Sequence, residues 1–240
     1  MKTIILIDGQ NLFYGLKEMR ILENQIKWDL FFKSLLSSND ELIRTYWFRP
    51  QKIHDRFHTP FNIRNQIAYR SFNIQGYNHL LDIKKHPSTT VAKIEEESKK
   101  VEEWIKKEKD RFAKIEYNYD QIALEFGDIE LIKTGMVKIN PYTEEYVGEK
   151  GVDISLAVKM IALSVEKKCD KIILISGDFD YAEAVKYSKN NMTKIHIVKL
   201  HKGVPPQNRS MSRELAVLAD KVIDVYESEI RSNFFKTNSP

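Results

Sequence analysis

The chain has 240 residues, 42% hydrophobic and 30% charged, with 9 glycines and 7 prolines. This composition excludes a collagen repeat, low-complexity disorder and a polytopic membrane protein. Lys and Arg number 38 against 34 Asp and Glu, a formal charge of +4, which permits a polyanionic partner without requiring one.

Cys169 is the single cysteine. It can form neither an internal disulfide nor a multi-cysteine zinc site, and a reduced, cytoplasmic setting is the expectation. The first apolar run, Ile4-Ile5-Leu6-Ile7, stops at Asp8. A signal peptide needs about 7–15 apolar residues and a spanning helix about 20. A soluble chain without a membrane partner is therefore expected.

In chain order, Ile4 to Ile7 reads as a strand buried on both faces. Asp8-Gly9 closes it, and Asn11 is placed to cap a helix carrying Leu12, Phe13 and Leu16. A helix over residues 29–36 and a strand over 41–48 follow, a β-α-β pattern that predicts a parallel α/β sheet. The second half repeats it. Apolar spacing predicts a helix over 152–165, a buried strand over 171–175, a helix over 178–187 and a strand over 194–198. A helix over 212–220 and a short strand over 222–225 complete it.

Residues 54–126 do not fit that pattern, and a loop of such length is implausible inside a domain. Val91, Ile94, Val101, Ile105, Phe112, Ile115, Tyr119 and Ile122 share one heptad frame whose missing members are Ser98 and Glu108. Such spacing predicts one long helix of about 50 Å with a coiled-coil-like seam. Thr59-Pro60 is a start signal for a preceding helix. The expectation is a single domain over residues 1–230 with a helical insertion at about 54–126, and a flexible tail over 231–240. The seam makes a homodimer through the insertion plausible.

Four acids stand at strand ends or helix starts. Asp8 ends the first strand, Asp178 follows Ser176-Gly177 after another, Asp180 lies two residues on, and Asp153 opens a helix after Lys150-Gly151-Val152. In open parallel sheets, sites form beyond the carboxyl ends of the strands, where strand order reverses. Carboxylates gathered there repel one another, and protonation or a divalent cation relieves them. Oxygen donors without a Cys or His cluster suit Mg2+ or Mn2+. As single residues, Asp153 and Asp178 also read as helix caps.

Ile5-Leu6-Ile7-Asp8-Gly9-Gln10-Asn11-Leu12 resembles the opening motif of NYN domains, in particular the LabA-like branch of the PIN-like nuclease superfamily. Lys150-Gly151-Val152-Asp153-Ile154 is similar to that family's second motif, and Ile175-Ser176-Gly177-Asp178-Phe179-Asp180-Tyr181 to its third. Ser212, Leu215 and Ala219-Asp220 resemble its C-terminal helix and strand. The resemblance covers roughly residues 1–50 and 127–226. It implies a Rossmann-like parallel sheet and metal-dependent RNA hydrolysis, with Asp8, Asp153, Asp178 and Asp180 as the metal-binding and catalytic acids. Asn11 would orient water or a phosphate, Ser176 and Gly177 would shape the Asp178 loop, and Lys150 would neutralise charge at the rim. The family's connection where residues 54–126 lie is usually shorter.

Other candidates are weaker. Arg49, Lys52 and Arg56 accompany Tyr46, Trp47 and Phe57, and Lys202 and Arg209 border a loop with Pro205-Pro206. Basic and aromatic residues together suit phosphate contact and base stacking. His54 and His58 lack the Glu of a His-Glu-x-x-His zinc motif. A haloacid-dehalogenase-like site would want an acid where Gln10 stands. The competing readings are another metal-dependent phosphohydrolase and a non-catalytic nucleic-acid-binding or regulatory scaffold.

Overall fold

The computed structural model describes residues 1–75, 86–207 and 211–236. Its elements, in chain order, begin with β1 (Lys2–Asp8), α1 (Gly9–Glu18), α2 (Trp28–Ser34), β2 (Glu41–Arg49), β3 (Ile53–His54), α3 (Pro60–Phe72) and α4 (Ser88–Glu125). Next come β4 (Ile129–Lys133), β5 (Met136–Asn140), β6 (Glu145–Lys150), α5 (Val152–Val165), β7 (Lys171–Ile175) and α6 (Ala182–Asn190). The chain closes with β8 (Lys194–His201), α7 (Arg213–Leu218), β9 (Lys221–Tyr226) and α8 (Glu227–Asn233). Two units are distinguished: residues 1–50, 118–135 and 151–240 form one, and 51–117 with 136–150 the other.

The first unit is built on a six-stranded sheet in the order β4-β2-β1-β7-β8-β9, and every pairing in it is parallel. Numbered among themselves, these strands run 3-2-1-4-5-6, so the order reverses between β1 and β7. The two central strands explain their sequences. Ile5, Leu6, Ile7, Ile172, Ile173 and Leu174 are fully buried, because helices cover both faces of a parallel sheet and leave no wet side. Leu6, Leu174, Val152, Leu156, Met160, Val185 and Ile197 share one core cluster, which presses α5 and α6 onto the sheet.

α1 begins earlier than its sequence suggests. Asp8, not Asn11, is the N-cap, and its carboxylate accepts the Asn11 N–H at 3.0 Å. Gly9 makes this possible: a Cβ there would lie 2.5 Å from the Phe48 carbonyl oxygen. The expected helix over 178–187 also differs, starting as a single 3-10 turn, Phe179–Tyr181, before α6. Residues 231–233 are helical, and Phe234 stacks edge-on against Phe31. Lys236 N donates to Gln25 O at 2.8 Å, so the segment expected to fray holds contacts up to residue 236; residues 237–240 lie outside the described part.

The second unit contains the expected helices and more. Thr59 caps α3 with Pro60 in its first turn, as the sequence predicts. Residues 88–117 of α4 belong here, and the remainder of this helix belongs to the first unit. A small sheet, β3-β5-β6, completes the second unit and takes two of its strands from beyond residue 126. Ile94 and Ile105 of the seam cluster with Ile63, Ile67, Val137 and Ile139. Within the unit, α3 and the small sheet therefore cover this part of the seam. Ser98, a missing heptad member, is buried and satisfies its hydroxyl on the Ile94 carbonyl at 2.7 Å. Among the described residues, no helix is long and apolar enough to cross a membrane.

Candidate active site

β1 and β7 deliver Asp8 and the Ser176–Asp178 turn to neighbouring positions at the reversal point, where α/β sheets open a crevice. Asp8 is buried, and both its oxygens are engaged. Oδ1 accepts the Asn11 N–H. Oδ2 accepts the Ser176 hydroxyl at 3.0 Å and faces the Tyr181 hydroxyl at 3.2 Å. Ser176 Oγ in turn accepts the Asp178 N–H at 3.2 Å, and Asp178 Oδ1 accepts the Asp180 N–H at 3.1 Å. Asn11 closes the loop from the other side, its Oδ1 taking the Gly177 N–H at 3.1 Å.

Asp153 arrives on the first turn of α5. Gly151, the residue before that helix, has φ of +87°, a conformation costly for any residue with a Cβ. Asp153 Oδ1 lies 3.3 Å from the same Tyr181 hydroxyl. One phenolic proton thus stands between two carboxylates and can serve only one of them at a time. The Tyr181 phenol is itself pushed far above its ordinary range, first by burial and then by Asp8 and Asp153, so it remains a donor.

The electrostatics differ from those of the other perturbed acids. Burial raises the Asp8 pKa, which the Asn11 and Ser176 bonds oppose and Asp153 raises further. Asp153 is raised by burial and by the charges of Asp178 and Asp180. Among the described residues, no cation figures in these influences. By contrast, Asp40 has Lys171, Asp220 has Lys189 and Glu23 has Arg49. The donors are all oxygen and their charge is uncompensated, which suits a hard divalent cation in kind. Among the described residues, no three Asp, Glu, His or Cys side chains already form a metal cage.

The remaining candidates fall elsewhere. Arg49 turns inward: its guanidinium lies 3.4 Å from the Tyr119 ring centroid and 3.8 Å from Glu23. It is thereby withdrawn from the phosphate contact its sequence neighbourhood suggests. Lys150 ends β6, and Lys52 and Arg56 are exposed, all three in the second unit. Arg56 lies 5.9 Å from the Phe57 ring. Lys202 follows β8 in the first unit, and Arg209 lies outside the described residues. His54 sits on β3 and His58 beyond it, not on one helix face. Tyr181 was the functional residue hardest to assign from sequence. Its signal was an aromatic directly after Asp178-Phe179-Asp180, and only the fold reveals the two carboxylates it meets.

The NYN domain family model matches residues 118–229, a stretch that includes Asp153, Asp178 and Asp180 but not Asp8 or Asn11. A search of curated proteins found no match. Among solved structures, a protein of unknown function from Vibrio parahaemolyticus RIMD 2210633 is similar. Its TM-score is 0.49 at 15% identity, over 93% of this chain and 92% of that one. The NYN match over residues 118–229 spans just under half of the chain and is a similarity to that family.

Proposed function

We propose that the chain is a metal-dependent nuclease of the LabA-like type that hydrolyses phosphodiester bonds, with RNA as its substrate. One observation carries this reading: Asp8, Asp153, Asp178 and Asp180 gather at the strand-order reversal with a single phenolic proton and, among the described residues, no cation. A site meant only to bind a polyanion gains nothing from four acids, whereas one that recruits a divalent ion needs them.

Asp153 and Asp178 are half-buried and keep oxygens without a partner among the described residues, so they would hold Mg2+ or Mn2+, with Asp8 behind them. Such an ion, when bound, supplies charge neutralisation at the phosphate and a lowered pKa for water. Tyr181 and Ser176 fix the Asp8 carboxylate. Asn11 holds the Gly177 turn, and with it the position of Asp178. Asp180 is exposed, free to orient a water for in-line attack.

The scaffold reading draws on a different observation, the full engagement of Asp8 and the absence of a ready cage among the described residues. A panel of labelled single- and double-stranded RNA and DNA, incubated with Mn2+, Mg2+ or EDTA, separates the two. Cleavage of RNA that EDTA abolishes supports the nuclease. Binding without cleavage under every condition contradicts it, and turnover of small phosphomonoesters alone identifies another phosphohydrolase.

A further inference from the structure

A cavity of about 440 Å³ adjoins the acids within the first unit. It lies against α1, the ends of β7 and β8, and the residues just before α7. Asn11, Ser176 and Gly177 belong both to its lining and to the acid site. Its volume is that of a small-molecule subsite, about 300–1,000 Å³. Val198, Leu200 and Met211 give it apolar walls. A Cβ on Gly15 would come within 2.8 Å of Leu200 Cδ1, so α1 and β8 approach closely there.

Two features describe the occupant. Among the described residues lining the cavity there is no Lys or Arg, and Glu18 is the charged one. The Glu18 carboxylate favours a group with amine donors over a phosphate. Tyr14 lines the cavity with its side chain about half exposed, on the helix turn directly after Asn11. Its ring already meets Phe13 edge-on at 5.5 Å, with the Lys17 ammonium 5.8 Å from its centroid. This supports the ring from one side and places a cation beside it. Because Asn11 Oδ1 is taken by Gly177, its amide hydrogens remain for a carbonyl or ring nitrogen.

From this we infer that the cavity is a nucleobase subsite: an unpaired base next to the scissile phosphate stacks on Tyr14, hydrogen-bonds Asn11 and offers an amine to Glu18. The inference rests on the nuclease reading for its scissile phosphate and adds a preference for single-stranded substrate. A base held in a duplex cannot enter, because its edges and faces are already occupied.

The test uses the full chain in EDTA, so that binding is read without cleavage. Three probes are compared by fluorescence anisotropy: a short labelled single-stranded RNA, its duplex, and the same chain with abasic sites throughout. Stacking on one aromatic predicts that the wild type binds the single strand about tenfold tighter than the abasic chain. Tyr14→Ala should erase that difference and Tyr14→Phe should keep it. Equal affinity of Tyr14→Ala and wild type for the single strand overturns the subsite. If Mn2+-dependent cleavage is nevertheless present, the nuclease reading stands without it. Loss of base preference in Tyr14→Ala with no cleavage in any metal leaves the subsite standing and overturns the nuclease. No binding of any probe overturns the subsite, and Mn2+-dependent cleavage decides the nuclease reading separately.

Discussion

The Asn11 side chain accepts the Gly177 N–H at 3.1 Å and so ties the first turn of α1 to the loop that carries Asp178. The bond spans 166 residues of sequence and joins the strand ends on either side of the reversal point. Asn11→Ala leaves the buried faces of α1 and the sheet untouched and should cost about 1 kcal/mol in urea denaturation, the worth of one hydrogen bond. Misplacing the Asp178 loop should cost far more in turnover, about 10²-fold. A variant with wild-type turnover would show that the loop holds itself.

Tyr181 makes a second prediction. Its ring is fully buried, so Tyr181→Phe preserves the packing while removing the proton shared by Asp8 and Asp153. The two carboxylates then lose the one donor they share. The variant should lose about 1–3 kcal/mol in EDTA, the cost of leaving a buried acceptor unmet. Mn2+ should restore more stability to it than to the wild type. Equal denaturation midpoints with and without metal would argue against a cation site between these acids.

Gly9 tests the geometry that brings Asp8 to the rim. Ala favours a helix over Gly by about 1 kcal/mol, yet a Cβ here meets a backbone oxygen at 2.5 Å, which cannot rotate away. Gly9→Ala should therefore destabilise, by about 1–3 kcal/mol as over-packing usually does. Thermal melting checks the sign. A gain in stability would mean that α1 and β2 are less closely packed than described.

Much of this architecture was legible because local and global signals agree. Four consecutive apolar residues before Asp8 and the run around Ile173 announce strands covered on both sides, and the helix over 152–165 has its expected bounds. The heptad frame predicted α4. Other features depend on distant partners. β3 has only two residues, too few to carry a pattern, and its pairing with β5 crosses most of the second unit. Arg49 reads as a surface cation until Glu23 and Tyr119 are seen to receive it. Asp8 reads as a metal ligand with Asn11 as the cap, and it is itself the cap with both oxygens engaged. No spacing rule reveals that Tyr181 reaches it.

Away from the site, Asp40 and Lys171 form an ion pair with almost no exposed side-chain surface, Nζ to Oδ2 2.5 Å. Burial raises the Asp40 pKa, but the Lys171 ammonium and the Ser37 N–H outweigh it and hold the carboxyl below its ordinary value. A lowered folded-state pKa means that the unfolded chain binds the proton more tightly. The pair thus stabilises above the ordinary carboxylate range and is lost as the pH falls through and below it. Asp40→Ala should cost about 3–5 kcal/mol at neutral pH by stranding Lys171, and the deficit should shrink in acid. Denaturant titrations at several pH values measure this, and a pH-independent deficit would contradict it.

The central claim is that the acids at the β1–β7 reversal form a metal-dependent phosphodiester-cleaving site. Its most direct test is cleavage of labelled single-stranded RNA by the wild type and Asp178→Asn, each with Mn2+ or EDTA. Circular dichroism should verify that both are folded. The account predicts Mn2+-dependent cleavage by the wild type and a fall of at least about 10²-fold in Asp178→Asn, the scale for loss of a group that positions reacting atoms. Undiminished cleavage by folded Asp178→Asn, or cleavage that persists in EDTA, would contradict it.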